Sequence, residues 1–247
     1  MLKLDVVLLF DIISPNDVLK IGHRGACGYE PENTLASFKK ALELKVDMIE
    51  LDVYLCSTGE IVVIHDNRVD RTTDGTGYVK DKSLKELRNL DAGNGEKIPL
   101  LGEALDLIDR KAVVNIELKG EGAVRPVTGL IEKYIAVQGW SIDDFLVSSF
   151  NHYELVEVKE ICPDLKIGAN IKAVPIGYCD FAERIGAYSV HPSFEFINDD
   201  FVDDAHRRGL KIYCWTVDDP EDIKRAAALN VDGIFSNFPD RLDKIKR

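Results

Sequence analysis

The sequence predicts an α/β fold, specifically a TIM-type (β/α)8 barrel with a β-hairpin after the second strand. The first observation is length, 247 residues against the ~250 typical of such barrels. The second is a repeated alternation of short β-branched runs with longer amphipathic stretches, the pattern of βα units around a parallel sheet. The third is that acidic and histidine residues collect at the ends of those runs, where barrel active sites form. No Pro/Gly/Ser-rich linker, low-complexity tract or short-period repeat divides the chain, so one domain over 1–247 is expected.

Strands are expected at 19–22, 48–54, 61–65, 113–118, 145–149, 166–171, 188–191, 211–216 and 232–236, one more than the barrel needs. The surplus is resolved locally, because only Leu55 to Glu60 separate the second run from the third. A parallel crossover takes about a dozen residues or more, whereas an antiparallel hairpin takes a few. The 61–65 run therefore folds back on 48–54, which places His65 roughly opposite Leu51 and Asp52 and near Glu50. Between the strands, helical spacing marks 35–44, 101–109, 124–137, 153–161, 200–208 and 220–229. Asn33 or Thr34 is suited to cap the first, and Pro220 to open the last. The pattern over 177–186 is faint.

A net charge of -12 repels phosphate backbones and anionic membrane surfaces, which excludes nucleic acid as a partner class. A phosphate compound is still a reasonable substrate if a bound cation reverses the local field, and that points to a metal. The five cysteines are odd in number, widely spaced and never in CxxC form, so neither a disulfide framework nor a zinc knuckle is suggested. Near the N-terminus the apolar run Val6 to Phe10 is interrupted on both sides by Asp5 and Asp11 and is far shorter than the ~20 residues of a spanning helix. It is expected to pack against the domain, with no stable membrane insertion and a cytoplasmic location; secretion is the minor alternative.

Glu50-Leu51-Asp52 places two carboxylates on one face of a strand. Like charges held together need a cation or a proton, although a satisfied structural pair is the competing account. Glu117, near the end of the 113–118 run, adds a third oxygen donor and suits a hard cation, Mg2+ or Ca2+, better than zinc. Lys119 brings positive charge to the same place, either for a phosphoryl oxygen or for a salt bridge to Glu117. Arg24, in Gly22-His23-Arg24-Gly25, can grip a phosphate in bidentate fashion. His23 and His65 offer the two proton-transfer groups that phosphodiester cleavage requires, one taking a proton from the attacking oxygen and one protonating the leaving alkoxide. Trp215 is either a wall of the pocket or a core residue. His152 and His206 are expected to be structural, and His191 is open.

In order and at matching spacing, His23-Arg24-Gly25-Ala26, Pro31-Glu32-Asn33-Thr34-Leu35, Glu50-Leu51-Asp52-Val53, Val63-Ile64-His65-Asp66 and Asp70-Arg71-Thr72-Thr73 resemble the glycerophosphodiester phosphodiesterases. The similarity runs over nearly the whole chain from Ile21. The resemblance implies a small insertion at about 67–99 and hydrolysis of glycerophosphodiesters, such as glycerophosphocholine or glycerophosphoethanolamine, to glycerol 3-phosphate and an alcohol. It implies His23 and His65 as the general acid/base pair and Glu50, Asp52 and Glu117 as ligands of one divalent cation. Arg24 and Lys119 would be phosphate contacts and Trp215 a pocket wall. It also suggests attack by the substrate's own glycerol hydroxyl through a cyclic phosphate, direct attack by water being the alternative. The chain departs from the family pattern at Cys27 and Thr58, neither a catalytic position. Two other readings are weighed: a lysophospholipase D or phosphoinositide-type enzyme on the same barrel, which needs an apolar groove or membrane-facing surface, and a barrel that binds a glycerophosphodiester without cleaving it.

Overall fold

The structure is a computed structural model that describes residues 18–245; the apolar run at 6–10 lies outside the described residues. Eight parallel strands close into a barrel: β1 (Leu19–Gly22), β2 (Met48–Leu55), β4 (Val113–Leu118), β5 (Phe145–Ser149), β6 (Lys166–Ile171), β7 (Ser189–Pro192), β8 (Lys211–Cys214) and β9 (Gly233–Ser236). Closure is made by β1, which pairs with β9 on one side and with Met48 and Ile49 of β2 on the other. The ninth strand, β3 (Ile61–Val63), is the predicted hairpin partner, antiparallel to β2 with Val53 opposite Val63.

That register extends one step further through a 3.0 Å bond from Ile64 N to the Asp52 carbonyl, so His65 falls beside Leu51 as the hairpin argument requires. The regular strand nevertheless stops at Val63 and does not reach His65. The chain leaves the sheet there to enter a loop tied by Asp66 and Arg71. Helices α1 (Leu35–Glu43), α2 (Leu84–Asn89), α3 (Leu101–Ile108), α4 (Val124–Gln138), α5 (His152–Ile161), α6 (Asp180–Arg184), α7 (Asp199–Arg207) and α8 (Pro220–Ala228) surround the strands. The faint 177–186 pattern yields only α6, because Gly177 and Tyr178 have positive φ (83° and 47°) and stay outside helical geometry. Helix α2 is unpredicted, although Ser83 and Glu86 form the capping box that announces its start.

Between β3 and α3 the chain builds a small separate core from Val69, Val79, Leu87, Ala92 and Ile98, together with Cys56, Val62 and Ile64. This stretch covers the insertion expected at 67–99 and packs over the β2–β3 hairpin. Among the described residues, no helix is long and apolar enough to cross a membrane.

The barrel interior is divided along its axis. At the N-terminal end of the strands Leu19, Ile21, Met48, Val113, Leu146, Tyr213 and Phe235 form an apolar plug. Further along five neighbouring strands, β2 and β4 to β7, the inward side chains turn polar: Glu50, Asn115, Ser148, Asn170 and His191 are all buried. Alternation with period two carries this change directly, since Met48, Glu50 and Asp52 share one face of β2. Gly168 makes space within the polar layer, since a Cβ there would lie 2.5 Å from His191 Nε2. The fold thus supplies an apolar floor and a polar mouth at the C-terminal end of the strands.

Candidate active site

The loop after β1 places His23 and Arg24. A Cβ on Gly25, whose φ is +85°, would lie 2.4 Å from Ser37 Oγ, so only glycine lets the loop pack on α1. His23 is fixed by its backbone N–H to the Ser236 carbonyl (3.1 Å) and by its ring Nδ1, 2.7 Å from Asn237 Oδ1. The proton on that bond follows from the next shell. Asn237 Nδ2 donates to Asp218 Oδ2 at 2.6 Å, and a carboxylate only accepts, so the amide oxygen faces His23. Nδ1 therefore carries the hydrogen, and Nε2 presents a lone pair. Burial, and then the Arg24 charge, push His23 down to about 4, which keeps the ring neutral. The Cys27 thiol, pushed up to about 12 by burial, donates to the same Asn237 oxygen.

The three acids come from adjacent strands. In the β2–β4 register Glu50 is opposite Asn115 and Asp52 opposite Glu117, and one oxygen from each of Glu50, Asp52 and Glu117 lies within 4.8 Å of the others. Each is held from outside: Arg24 N donates to Glu50 Oε2 at 2.8 Å, Asn33 Nδ2 to Asp52 Oδ2 at 2.8 Å, and Lys119 Nζ to Glu117 Oε1 at 2.9 Å. Burial and mutual repulsion raise Glu50 well above the carboxylate range and bring Glu117 up to about 7. Asp52 Oδ1 is buried with no hydrogen-bond partner. A lone pair left unpaired in a buried cluster of hard oxygen donors fits a divalent cation such as Mg2+ or Ca2+.

His65 faces this cluster from the hairpin. Its Nδ1 is 2.6 Å from Asp66 Oδ1 and its Nε2 is 3.2 Å from Lys119 Nζ. Lys119 can only donate and Asp66 only accept, so Nδ1 again bears the hydrogen. Burial outweighs the nearby carboxylates and lowers His65 below its usual value. Arg71 then joins this loop to the one after β1. It donates to Glu32 at 2.7 Å through two nitrogens and to Asp66 at 2.7 and 3.0 Å, while Glu32 also accepts from Arg24 Nη1 at 2.8 Å.

These groups line a cavity of about 160 Å³, closed on one side by Phe150, Trp215 and Phe235. Trp215 is only half-buried, meets Phe150 edge to face at 5.7 Å and donates its indole N–H to the His191 carbonyl at 2.7 Å. It lines the mouth and also packs on the apolar plug beneath.

All eight residues singled out from sequence therefore converge: His23, Arg24, Glu50, His65, Glu117, Lys119 and Trp215 line the cavity, and Asp52 lies within the acidic cluster. The other histidines do not line the cavity. His152 bonds the Asn170 carbonyl and stacks on Phe181, and His206 bonds Asp232. His191 is buried between Ser189 and Asn170 and pushed down to about 3 by burial.

Several contributors escaped the sequence. Of the two cap candidates, Asn33 and Thr34, Thr34 takes that role and Asn33 turns to Asp52, a contact the sequence did not suggest. Glu32 and Arg71 stood in recognisable motifs without a role. Asn237 stood in the family-like run Ser236-Asn237-Phe238-Pro239-Asp240 without a role, and Asp218 carried no local signal. Asn115, two residues before Glu117 and on its face of β4, was legible from strand period alone; its Oδ1 is buried and unpartnered.

Comparison with known proteins places this arrangement in context. The Glycerophosphoryl diester phosphodiesterase family matches residues 23–241. A glycerophosphodiester phosphodiesterase of Caldanaerobacter subterraneus is 43% identical over 239 residues, which cover 93% of this chain and 98% of that protein. One from Bacillus subtilis is 32% identical, covering 96% of this chain and 89% of the relative. Among solved structures, an Oleispira antarctica phosphodiesterase in complex with the product sn-glycerol-3-phosphate superposes with a TM-score of 0.84 at 31% identity, covering 95% of this chain and 97% of the other.

Proposed function

Because this chain belongs to the Glycerophosphoryl diester phosphodiesterase family, we propose that its barrel mouth hydrolyses glycerophosphodiesters to glycerol 3-phosphate and an alcohol, with Glu50, Asp52 and Glu117 holding one divalent cation and His23 and His65 moving the protons. The observation that carries this reading is the convergence of three carboxylate oxygens within 4.8 Å of one another in a cavity lined by both histidines. Mg2+ or Ca2+ held by Glu50, Asp52 and Glu117 would supply positive charge to the phosphate.

The chain's own groups account for the rest. Lys119 and Arg24 border the same cavity and spread the remaining charge on the phosphate as the transition state forms. Neutral His23 offers Nε2 to a hydroxyl of the substrate glycerol and takes its proton as that oxygen attacks phosphorus. The bond from phosphorus to the alcohol then breaks, and His65, carrying a proton on Nε2 in that step and held through Nδ1 by Asp66, gives it to the departing oxygen. With roles reversed, His65 takes a proton from water, water opens the cyclic phosphate, and His23 returns its proton to the glycerol oxygen. The sum is one water consumed per diester. Phe150 and Trp215 provide the apolar wall along the glycerol carbons.

The test is release of glycerol 3-phosphate by His23→Ala and His65→Ala. Each is expected to lose ~10²–10⁴-fold in kcat with an unchanged thermal transition. Full activity in either folded variant contradicts the assignment.

A further inference from the structure

Four buried side-chain atoms have no hydrogen-bond partner among the described residues: Arg24 Nε, Asp52 Oδ1, Asn115 Oδ1 and Ser148 Oγ. The phosphate and the cation proposed above account for Arg24 and Asp52, and Ser148 does not border the cavity. Asn115 does border it, although it is only 1% exposed. A buried amide oxygen left unpaired is costly, so its partner comes from what the cavity receives.

The surroundings of Asn115 define that partner. Glu50 stands opposite it on β2, and Glu117 follows two residues later on the same face of β4. Holding a cation, both are carboxylates that only accept, so neither can satisfy an amide oxygen. What is missing is a donor. Val113, two residues earlier on that face, belongs to the apolar plug, which makes Asn115 the deepest polar group that β4 gives the mouth. In a cavity of about 160 Å³, a group that reaches this depth is a small terminal one.

Asn170 supplies the complementary half. Its Oδ1 is 2.9 Å from His191 Nδ1, and the other ring nitrogen of His191 is 2.8 Å from Ser189 Oγ. An amide oxygen only accepts, so Nδ1 of His191 bears the hydrogen. The amide nitrogen of Asn170 is then left for the cavity that this residue also borders. One uncharged acceptor and one uncharged donor match a hydroxyl, which donates and accepts at once.

We propose that Asn115 and Asn170 bind the terminal hydroxyl of the substrate's glycerol half and so select glycerophosphodiesters over diesters of a simpler 1,2-diol. The inference rests on the hydrolytic reading above and deepens it by naming what reads the glycerol. The hydroxyl beside the phosphate-bearing carbon is the one that attacks phosphorus. The terminal hydroxyl takes no part in the reaction, yet it enters the same mouth, where Phe150, Trp215 and Phe235 offer it no acceptor. Asn115 offers one.

The experiment measures kcat/KM for glycerophosphocholine and for its propane-1,2-diol analogue of the same configuration, which keeps the attacking hydroxyl and lacks the terminal one. Wild-type protein is expected to prefer the glycerol diester by about ten- to a hundredfold, the cost of leaving a buried acceptor unpaired. Asn115→Ala should lose about the same factor on the glycerol diester and little on the analogue, so that the preference collapses. Calorimetric titration of the variant with Mg2+ or Ca2+ alone should give the wild-type affinity. Equal wild-type rates on the two diesters overturn the inference without any variant. So do a parallel loss on both diesters in Asn115→Ala, or a cation affinity weakened by about tenfold or more, which would make Asn115 part of the metal site. Hydrolysis itself stands in each of these cases. A wild-type protein inactive on both diesters overturns the hydrolytic reading and this inference with it.

Discussion

His23 Nδ1 donates to Asn237 Oδ1 across 2.7 Å, and Asp218 fixes the direction of that bond by accepting from the amide nitrogen of Asn237. The consequence is a single tautomer with Nε2 free to accept a proton. Asn237→Ala removes the acceptor without touching substrate. It is expected to lower kcat on the order of 10²-fold, the low end of general acid/base contributions, with KM nearly unchanged. Steady-state kinetics on a glycerophosphodiester checks this, and a pure KM effect would place Asn237 in binding instead.

Arg71 ties Glu32 to Asp66, and so couples the loop carrying Arg24 to the loop carrying His65. Its side chain is 48% exposed, which limits its worth to stability to less than about 1 kcal/mol. Its worth to geometry is larger. Arg71→Ala should reduce kcat roughly ten- to a hundredfold while the melting temperature moves little. Arg71→Lys should recover only part, because an ammonium cannot fork to two carboxylates. Kinetics and thermal melts on the same preparations separate the two effects.

Glu32 also sets an acid limit on stability. Burial alone would raise its carboxyl, but the hydrogen bonds from Arg71 and the charges of Arg24 and Arg71 bring it down to about 2, against an ordinary value of 4.5. A depressed folded value means stabilisation that is complete above the unfolded value and is lost as pH falls through the folded one. Urea midpoints should therefore drop between pH 4.5 and 2. In Glu32→Gln that part of the slope, on the order of 2 kcal/mol after discounting the exposure of Arg71, should vanish. An identical acid profile in the variant would count against the clasp.

The barrel and its hairpin were legible because strand period, loop length and crossover geometry are local. Six residues between 54 and 61 were enough to require an antiparallel return, and the return was enough to bring His65 beside Asp52. Glu50, Asp52 and Glu117 were legible because alternation on a strand assigns faces, and the same rule extends to Asn115. What the sequence hid lies at long range or in competing local chemistry. Asn237 meets His23 across 214 positions only because β1 and β9 close the barrel. Asn33 has the chemistry of a helix cap, and its turn toward Asp52 depends on a φ of 58° that spacing does not reveal. β3 ends at Val63, just ahead of the loop that the Glu32–Arg71–Asp66 clasp ties down, a tertiary contact that local pattern does not reveal.

The acidic cluster makes its own prediction in the absence of a cation. Glu50 is raised by burial and by the charges of Asp52 and Glu117, so replacing it with an amide relieves repulsion. Metal-free Glu50→Gln should be more stable than wild type by about 1 kcal/mol, or ~2–4 °C in Tm. It should gain little from added Mg2+ or Ca2+, whereas wild type gains. A variant that is less stable without metal would indicate a satisfied structural carboxylate.

The central claim is that Glu50, Asp52 and Glu117 hold a divalent cation on which phosphodiester hydrolysis depends. It is tested most directly by following glycerol 3-phosphate release from a glycerophosphodiester with exhaustively chelated protein, before and after Mg2+ or Ca2+ is restored. The account predicts that release stops on chelation and returns with one of these ions in wild type, and that Glu50→Gln does not recover. Turnover at the original rate by fully chelated protein would contradict it.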